Sequence, residues 1–232
     1  MFRVFLMMLV VTGFYACTKK VHSGSRPDNP VNELKTFLAL GDSYTIGESV
    51  AMQDRFPAQT AALLRLEGLK VADPVYIART GWTTANLQQG ILAQNPTPTY
   101  DIVTLLIGVN DQYQRLDTGG YAMRFTQLLQ KAIELARGNK RHVFVVSIPD
   151  YSVTPFVAAS EKQRVSTEVD RFNSINFRIT EAFGVSYTNI TPSSREGASN
   201  PALIANDGLH PSGLEYQKWA QLLAPKIKVL FP

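Results

Sequence analysis

The stretch 36–44 reads TFLALGDSY, a mostly apolar run of strand length followed directly by a polar turn. Four further apolar runs follow along the chain, at 75–78, 102–107, 143–148 and 185–188. Segments with helical length and apolar spacing lie at 56–66, 84–94, 121–137, 161–183 and 213–230. Apolar runs that alternate with helices indicate parallel strands, because such strands are buried on both faces. We therefore predict an α/β fold with a five-stranded parallel sheet covered by helices on both sides.

The chain is long enough for one domain with a full core, since it has 232 residues of which 45% are hydrophobic. We assign this domain to residues 34–232. The segment 17–33 is polar and interrupted by Gly24, Pro27 and Pro30, which is typical of a flexible tether. Lys and Arg number 23 against 19 Asp and Glu, and the cations are scattered. This charge pattern does not indicate a nucleic-acid partner.

The first sixteen residues resemble a bacterial export signal. A single cation, Arg3, precedes an apolar stretch at 4–15, which is shorter than the roughly 20 residues of a membrane-spanning helix. We therefore predict a signal peptide over residues 1–16 and a protein that leaves the cytoplasm.

The chain has one cysteine, Cys17, at the end of this signal. The segment Phe14-Tyr15-Ala16-Cys17 resembles a lipobox, although Phe14 and Tyr15 depart from its usual residues. We predict that Cys17 is lipidated and that the protein is an exported lipoprotein, periplasmic or associated with the outer membrane. The alternative is an ordinary cleaved signal with a coincidental cysteine. Under both interpretations the protein has no internal disulfide.

Four polar segments lie where predicted strands end or where the last helix begins. They are Gly41-Asp42-Ser43-Tyr44, Arg79-Thr80-Gly81-Trp82, Gly108-Val109-Asn110-Asp111 and Asp207-Gly208-Leu209-His210. Ligands of open α/β sheets bind beyond the carboxyl ends of the strands. The sequence therefore predicts the functional site at this edge of the sheet.

In their order, these four segments resemble those of the SGNH (GDSL-type) hydrolases, and the resemblance covers the whole predicted domain. It implies a three-layer, flavodoxin-like fold with strand order 2-1-3-4-5, in which the first and third strands are neighbours. It assigns the family's four invariant roles to Ser43, Gly81, Asn110 and His210. It also makes Asp207 the carboxylate that orients His210, and it implies hydrolysis of acyl esters.

Elementary chemistry supports these roles. A serine hydroxyl needs a base to take its proton during attack, and neutral imidazole suits neutral pH. We predict Ser43 as nucleophile, His210 as base and Asp207 as its orienting partner. We predict that the backbone N–H groups of Ser43 and Gly81 and the side-chain amide of Asn110 form an oxyanion hole.

Each motif alone has a simpler structural explanation. Ser43 alone could cap a helix, and Asn110 alone could be a polar loop residue. We interpret Asp42 and Asp111 as acceptors that support their loops. Of the other two histidines, His22 lies in the tether and His142 at the amino end of the fourth strand.

Other enzyme templates fail on their motifs. The chain has no Gly-x-Ser-x-Gly around Ser43, no Walker A loop, no Gly-x-Gly-x-x-Gly after the first strand and no His-Glu-x-x-His. We predict neither a cofactor nor a metal ion.

The sequence constrains the substrate less than the reaction. The segment 148–156 is a candidate substrate wall. Five aromatic residues are available to line a pocket: Tyr44, Trp82, Tyr113, Tyr151 and Phe156. We predict a carboxylester hydrolase of lipase or esterase type that acts through an acyl-enzyme on a small-molecule, glycan or lipid ester. One alternative is a carbohydrate O-deacetylase. An alternative of another class is a non-catalytic lipoprotein that binds glycans or lipids.

Overall fold

The computed structural model describes residues 1–2 and 33–231. The predictions for the signal peptide, the tether and Cys17 therefore lie outside the described residues. The described part holds one sheet of five parallel strands, β1 Phe37–Asp42, β2 Val75–Arg79, β3 Ile102–Leu106, β4 Val143–Val146 and β5 Ser186–Thr188. Their order is β2-β1-β3-β4-β5. The predicted fold class and strand order are confirmed.

Eight α-helices connect or follow these strands within residues 33–231. They are α1 Ser43–Ile46, α2 Phe56–Leu66, α3 Thr84–Gln94, α4 Val109–Tyr113, α5 Thr118–Leu135, α6 Lys162–Phe183, α7 Thr191–Arg195 and α8 Gly213–Lys228. Short 3₁₀ turns occupy Met52–Asp54, Lys140–His142, Tyr151–Val153, Glu196–Ala198 and Pro201–Leu203. None of the described helices is both long and apolar enough to cross a bilayer.

The helices form two layers around the sheet. Helices α2 and α8 contact each other, while α5 contacts both α3 and α6. Right-handed crossovers place the first pair on one face of the sheet and the other three on the opposite face. The central strands β1, β3 and β4 are buried throughout, whereas the edge strands β2 and β5 are partly exposed.

Most predicted bounds agree with the structure to within a few residues, and α2 and α3 agree fully. Helix α5 begins at Thr118 rather than 121, because the Asp117 side chain accepts a hydrogen bond from the N–H of Gly120 at 2.6 Å and caps the helix there. The helix ends at Leu135, before Arg137 adopts a φ of 58°. Helices α1, α4 and α7 were not predicted, since five residues or fewer cannot display an apolar period.

Candidate active site

Ser43 is the first residue of α1, directly after β1. The cap of this helix is Asp42, whose carboxylate accepts a hydrogen bond from the N–H of Tyr44 at 3.0 Å. Ser43 is therefore not needed as a cap, and its side chain lines a cavity instead. A Cβ at Gly41 would lie 2.4 Å from the carbonyl oxygen of Leu106, so only glycine fits where β1 passes β3.

The carboxyl group of Asp42 lies in the interior, fully buried next to Ser43. Its Oδ2 atom has no hydrogen-bond partner among the described residues. Burial raises the pKa of Asp42 to about 8, the hydrogen bond from Tyr44 lowers it, and the nearby Asp111 raises it again. Asp42 therefore supports its loop as an acceptor, and its burial favours the neutral form of the carboxyl group.

Asp207 and His210 form a pair in the turn before α8. Asp207 Oδ2 lies 2.6 Å from His210 Nδ1, and Asp207 Oδ1 accepts hydrogen bonds from the N–H groups of Leu209 and His210, both at 2.9 Å. Gly208 between them has a φ of 71°, which glycine adopts without strain. The backbone thus holds the carboxylate in one orientation toward the imidazole.

The hydrogen bonds keep Asp207 ionised. Burial alone would raise its pKa, but the side chains of His210 and Ser49 and the N–H groups of His210 and Leu209 outweigh it and hold the pKa well below its ordinary value. An ionised carboxylate can only accept hydrogen bonds, so Nδ1 of His210 carries a hydrogen and donates the hydrogen bond to Asp207. Nε2 is then the free basic nitrogen.

Tyr44 fixes the other side of the imidazole. Its ring centroid lies 5.1 Å from that of His210 at an interplanar angle of 54°. Both residues are buried, with His210 only 7% exposed. The imidazole is therefore held by packing as well as by its bond to Asp207.

The other two predicted site residues follow β2 and β3. Gly81 has a φ of 80°, and no atom lies within 4 Å of where a Cβ would be, so glycine is favoured there by backbone conformation rather than by lack of space. Asn110 lies in α4, and its Nδ2 donates to the carbonyl oxygen of Trp82 at 3.0 Å. One amide hydrogen of Asn110 thus ties it to the Gly81 loop, and the other is available to a ligand.

Asp111 holds the same two segments together from inside. It is fully buried and accepts hydrogen bonds from the N–H of Thr84 at 2.8 Å and the hydroxyl of Thr84 at 2.6 Å. Arg124 of α5 donates to the hydroxyl of Thr84 at 2.8 Å and lies 3.3 Å from the Asp111 carboxylate. Asp111 therefore supports its loop, as the sequence predicted.

A cavity of about 140 Å³ brings the predicted residues together. Ser43, Gly81, Asn110 and His210 all line it, while Asp207 contacts His210 from behind. No hydrogen bond joins the side chains of Ser43 and His210 in the part of the chain that the structure describes.

One wall of this cavity is aromatic. Tyr113, Tyr151 and Phe156 line it, with ring centroids 6.4 Å apart for Tyr113 and Tyr151 and 6.0 Å apart for Tyr113 and Phe156. Tyr113 is 56% exposed and Phe156 50% exposed, whereas the hydroxyl of Tyr151 is buried and donates to Gln112 Oε1 at 2.7 Å. The segment 148–156 thus contributes Tyr151 and Phe156 to the wall.

The interpretation of Trp82 as a candidate pocket residue is not supported. The Trp82 ring packs against Gly90 of α3, where an added Cβ would lie 2.2 Å from the indole, and it does not line the cavity. Thr83 caps α3 by accepting a hydrogen bond from the N–H of Asn86. The ring of His142 lies 5.3 Å from that of Phe231 at an interplanar angle of 57°, and His142 does not line the cavity.

Two residues at the site were not predicted from the sequence. The Ser49 hydroxyl donates to Asp207 Oδ2 at 2.7 Å, and Thr80 lines the cavity. Ser49 and Asp207 are 158 positions apart, so no local pattern links them.

Within residues 1–2 and 33–231, no group of three or more His, Cys, Asp or Glu side chains could hold a metal ion.

Comparisons with solved structures find the same fold. An acetylxylan esterase from Geobacillus stearothermophilus superposes with a TM-score of 0.63 at 19% identity, over 83% of this chain and 94% of the other. The esterase EstA from Pseudoalteromonas sp., in a structure inhibited by monoethylphosphonate, gives 0.60 at 18% identity, over 84% and 98%. A lipase/acylhydrolase from Enterococcus faecalis gives 0.61 at 18%, over 84% and 96%.

Sequence comparison with curated proteins gives no match. A family model matches residues 39–218, which is more than half of the chain and includes all five predicted site residues. The chain therefore belongs to the GDSL-like lipase/acylhydrolase family and is a hydrolase that acts on esters.

Proposed function

We propose that Ser43 is the nucleophile of this ester hydrolase, that His210 is its general base and that Asp207 orients His210. One observation carries the proposal. The 2.6 Å contact with an ionised Asp207 occupies Nδ1 of His210, so Nε2 remains as the base in the cavity that Ser43 lines.

The reaction proceeds in two halves. Ser43 Oγ attacks the ester carbonyl carbon while His210 Nε2 takes the hydroxyl proton, and the tetrahedral intermediate forms. The intermediate collapses as the same proton passes to the leaving alkoxide, which departs as an alcohol. A water molecule then attacks the acyl-enzyme with His210 again as base, and this releases the carboxylic acid and restores Ser43.

The negative oxygen of each intermediate needs preorganised donors. We assign this role to the N–H groups of Ser43 and Gly81 and to the second amide hydrogen of Asn110, because all three residues line the same cavity. The side chain of Asn110 is held by its hydrogen bond to Trp82, and the Gly81 loop is held by the hydrogen bond from Thr84 to Asp111. These donors therefore do not have to reorganise during the reaction.

We propose a neutral ester with a short acyl group as substrate. Pockets for drug-sized ligands measure about 300–1,000 Å³, whereas this cavity has about 140 Å³. Its lining residues include neither Lys, Arg, Asp nor Glu among the described residues, so a charged acyl group would find no counter-ion there.

An ester-chain-length profile tests this proposal. The purified full chain is expected to hydrolyse p-nitrophenyl acetate and butyrate faster than long-chain esters, with Ser43→Ala as the inactive control. A fluorophosphonate probe should label the wild type and not Ser43→Ala, as the phosphonate-inhibited esterase from Pseudoalteromonas sp. suggests. Absence of both hydrolysis and labelling would refute the proposed nucleophile.

A carbohydrate O-deacetylase is the second candidate. The half-exposed rings of Tyr113 and Phe156 beside the cavity offer flat apolar faces to a bulky alcohol such as a sugar. The acetylxylan esterase from Geobacillus stearothermophilus has the same fold. Acetate release from acetylated xylan, faster than from p-nitrophenyl acetate at equal acetyl concentration, would favour this candidate.

We further propose that the protein is exported and anchored by a lipid on Cys17. The support is the apolar signal at 1–16 and the position of Cys17 at its end. Wild-type chain expressed with labelled palmitate is expected to carry label and to partition with membranes, and Cys17→Ser to do neither. Retention of both properties by Cys17→Ser would contradict the proposal.

A further inference from the structure

The turn that follows α1 has an unusual backbone at Ser49. Ser49 has a φ of 65°, and serine rarely adopts this left-handed conformation, which glycine and asparagine tolerate much better. Strained residues of this kind persist where the surrounding structure holds them, and they cluster at functional sites. The contacts of the Ser49 side chain therefore need an explanation.

The hydroxyl group of Ser49 donates a hydrogen bond to Asp207. The Oγ–Oδ2 distance is 2.7 Å, and the accepting oxygen is the one that lies 2.6 Å from Nδ1 of His210. The other oxygen, Oδ1, is occupied by two backbone N–H groups. Among the described residues, Ser49 therefore supplies the one hydrogen bond to the Asp207 carboxylate that comes from outside the turn of Asp207 and His210.

The same turn is bound to the nucleophile. The N–H of Glu48 donates to the carbonyl oxygen of Ser43 at 3.0 Å. The Glu48 carboxylate also accepts a hydrogen bond from the hydroxyl of Thr80, which lines the cavity next to Gly81. Residues Glu48 and Ser49 thus connect the Ser43 backbone, the Gly81 loop and Asp207.

We propose that Ser49 is a positioning residue of the hydrolase, which sets Asp207, and through it His210, at a fixed place relative to Ser43. This proposal rests on the roles given to Ser43, His210 and Asp207 above. Ser49 touches neither substrate nor reacting atoms. It acts through the carboxylate oxygen that it shares with His210.

The Ser49→Gly variant separates the effect of the hydroxyl group from the effect of the backbone conformation. Glycine adopts the same φ without strain, so this variant should fold at least as well as the wild type while losing the donor. One hydrogen bond contributes about 0.5–1.5 kcal/mol net, which corresponds to a roughly two- to tenfold fall in kcat. We expect KM for p-nitrophenyl acetate to stay unchanged, because the substrate does not contact Ser49.

Two further variants complete the experiment. Ser49→Asn keeps a side-chain donor and tolerates the left-handed backbone, so it should recover part of the lost kcat. Asn95→Gly is the matched control, since Asn95 has a φ of 42° at the exposed end of α3, away from the cavity. It makes the same kind of backbone change and should leave kcat unchanged.

The proton between His210 Nδ1 and Asp207 gives a readout that does not depend on turnover. Its ¹H resonance in the purified full chain should shift in Ser49→Gly and not in Asn95→Gly. Wild-type kcat in Ser49→Gly, or an unchanged resonance, would overturn the positioning role. A wild type without esterase activity would instead count against the proposed function, and the resonance would still decide the role of Ser49.

Discussion

Two carboxyl groups near Ser43 have pKa values that their surroundings shift in opposite directions. Asp42 is fully buried with one oxygen unpartnered among the described residues, and burial raises its pKa to about 8. Asp207 receives four hydrogen bonds, which hold its pKa well below the ordinary value. The two pKa values shift in opposite directions because desolvation outweighs the hydrogen bond at Asp42, whereas the hydrogen bonds outweigh desolvation at Asp207.

Asp42 should make stability depend on pH. An unfolded chain releases the Asp42 proton near pH 3.8, whereas the folded protein keeps it up to about pH 8. The unfolded state therefore binds fewer protons in this window, and stability falls as pH rises through it. We expect Asp42→Asn, which cannot ionise, to gain stability relative to the wild type by up to about 1.4 kcal/mol per pH unit in this range.

Urea unfolding of both proteins at several pH values between about 5 and 8 measures this difference. The amide keeps an oxygen for the N–H of Tyr44, so any constant cost of the substitution cancels from the pH dependence. A stability difference that does not change with pH would mean that Asp42 is already ionised in the folded state.

Asn110 should contribute to the rate rather than to binding. Loss of one oxyanion donor typically costs about 10²–10³-fold in kcat. We expect Asn110→Ala to lower kcat for p-nitrophenyl acetate by a factor in this range with little change in KM. Gln114→Ala is the control, because Gln114 is exposed at the end of the same helix α4 and does not line the cavity. An equal loss in both variants would point to damage to α4 and not to a lost donor.

The sequence predicts the site residues unevenly. Ser43, Gly81 and Asn110 stand in short motifs at strand ends and His210 in one before the last helix, and the structure places all four at one cavity. Ser49 lies in no motif, and its importance depends on a contact with a residue 158 positions away. The left-handed backbone of Ser49 is equally invisible, since sequence patterns associate that conformation with glycine and asparagine.

At the scale of elements, the link between α4 and α3 determines where the Gly81 loop lies. Thr84 begins α3, and its hydroxyl and N–H both donate to the buried Asp111 of α4. Arg124 of α5 donates to the same hydroxyl oxygen. The helix that carries Asn110 and the helix that follows Gly81 are therefore joined beneath the cavity.

Thr84→Val should loosen this link without a change of side-chain shape. Valine keeps the N–H donor and loses the hydroxyl, so Asp111 and Arg124 each lose a buried partner at a cost of about 1–3 kcal/mol. We expect lower stability in urea unfolding and a smaller kcat at temperatures where the variant is folded. A stability loss with unchanged kcat would show that the Gly81 loop keeps its position without this link.

Long elements are the ones that the sequence predicts well. Helices α2 and α3 each show three turns of apolar spacing, and their bounds agree with the prediction. The short helices α1 and α4, which carry Ser43 and Asn110, have no such spacing. Their starts depend on tertiary contacts, such as the Asp42 carboxylate for α1, and propensity alone does not reveal them.

At the scale of the whole molecule, the strand order joins segments that are distant in the chain. Order β2-β1-β3-β4-β5 makes β1 and β3 neighbours, so the residues that follow them meet at the point where strand order reverses. The alternation of strands and helices predicts a parallel sheet, whereas its order was implied by the resemblance to a family. The position of the Asp207–His210 turn depends further on how the last helix, α8, packs.

Helix α8 packs against α2 through an aromatic cluster formed by Phe56 of α2 and by Tyr216 and Trp219 of α8. Trp219 is fully buried, with its ring 5.9 Å from Phe56 and 5.0 Å from Tyr216, and its Nε1 donates to Glu215 Oε1 at 2.6 Å. Because His210 lies just before α8, we expect its place in the site to depend on this packing.

Trp219→Ala should lower the free energy of unfolding by about 3–5 kcal/mol, since it removes a large buried ring and the partner of a buried carboxyl group. Glu215→Gln keeps an oxygen acceptor for the indole and serves as the milder control. Urea titrations followed by near-UV circular dichroism and by esterase activity should give coincident transitions in all three proteins, because the core and the His210 turn unfold as one unit. Loss of activity at lower urea than the loss of tertiary structure would instead mean that the Asp207–His210 turn opens independently of α8.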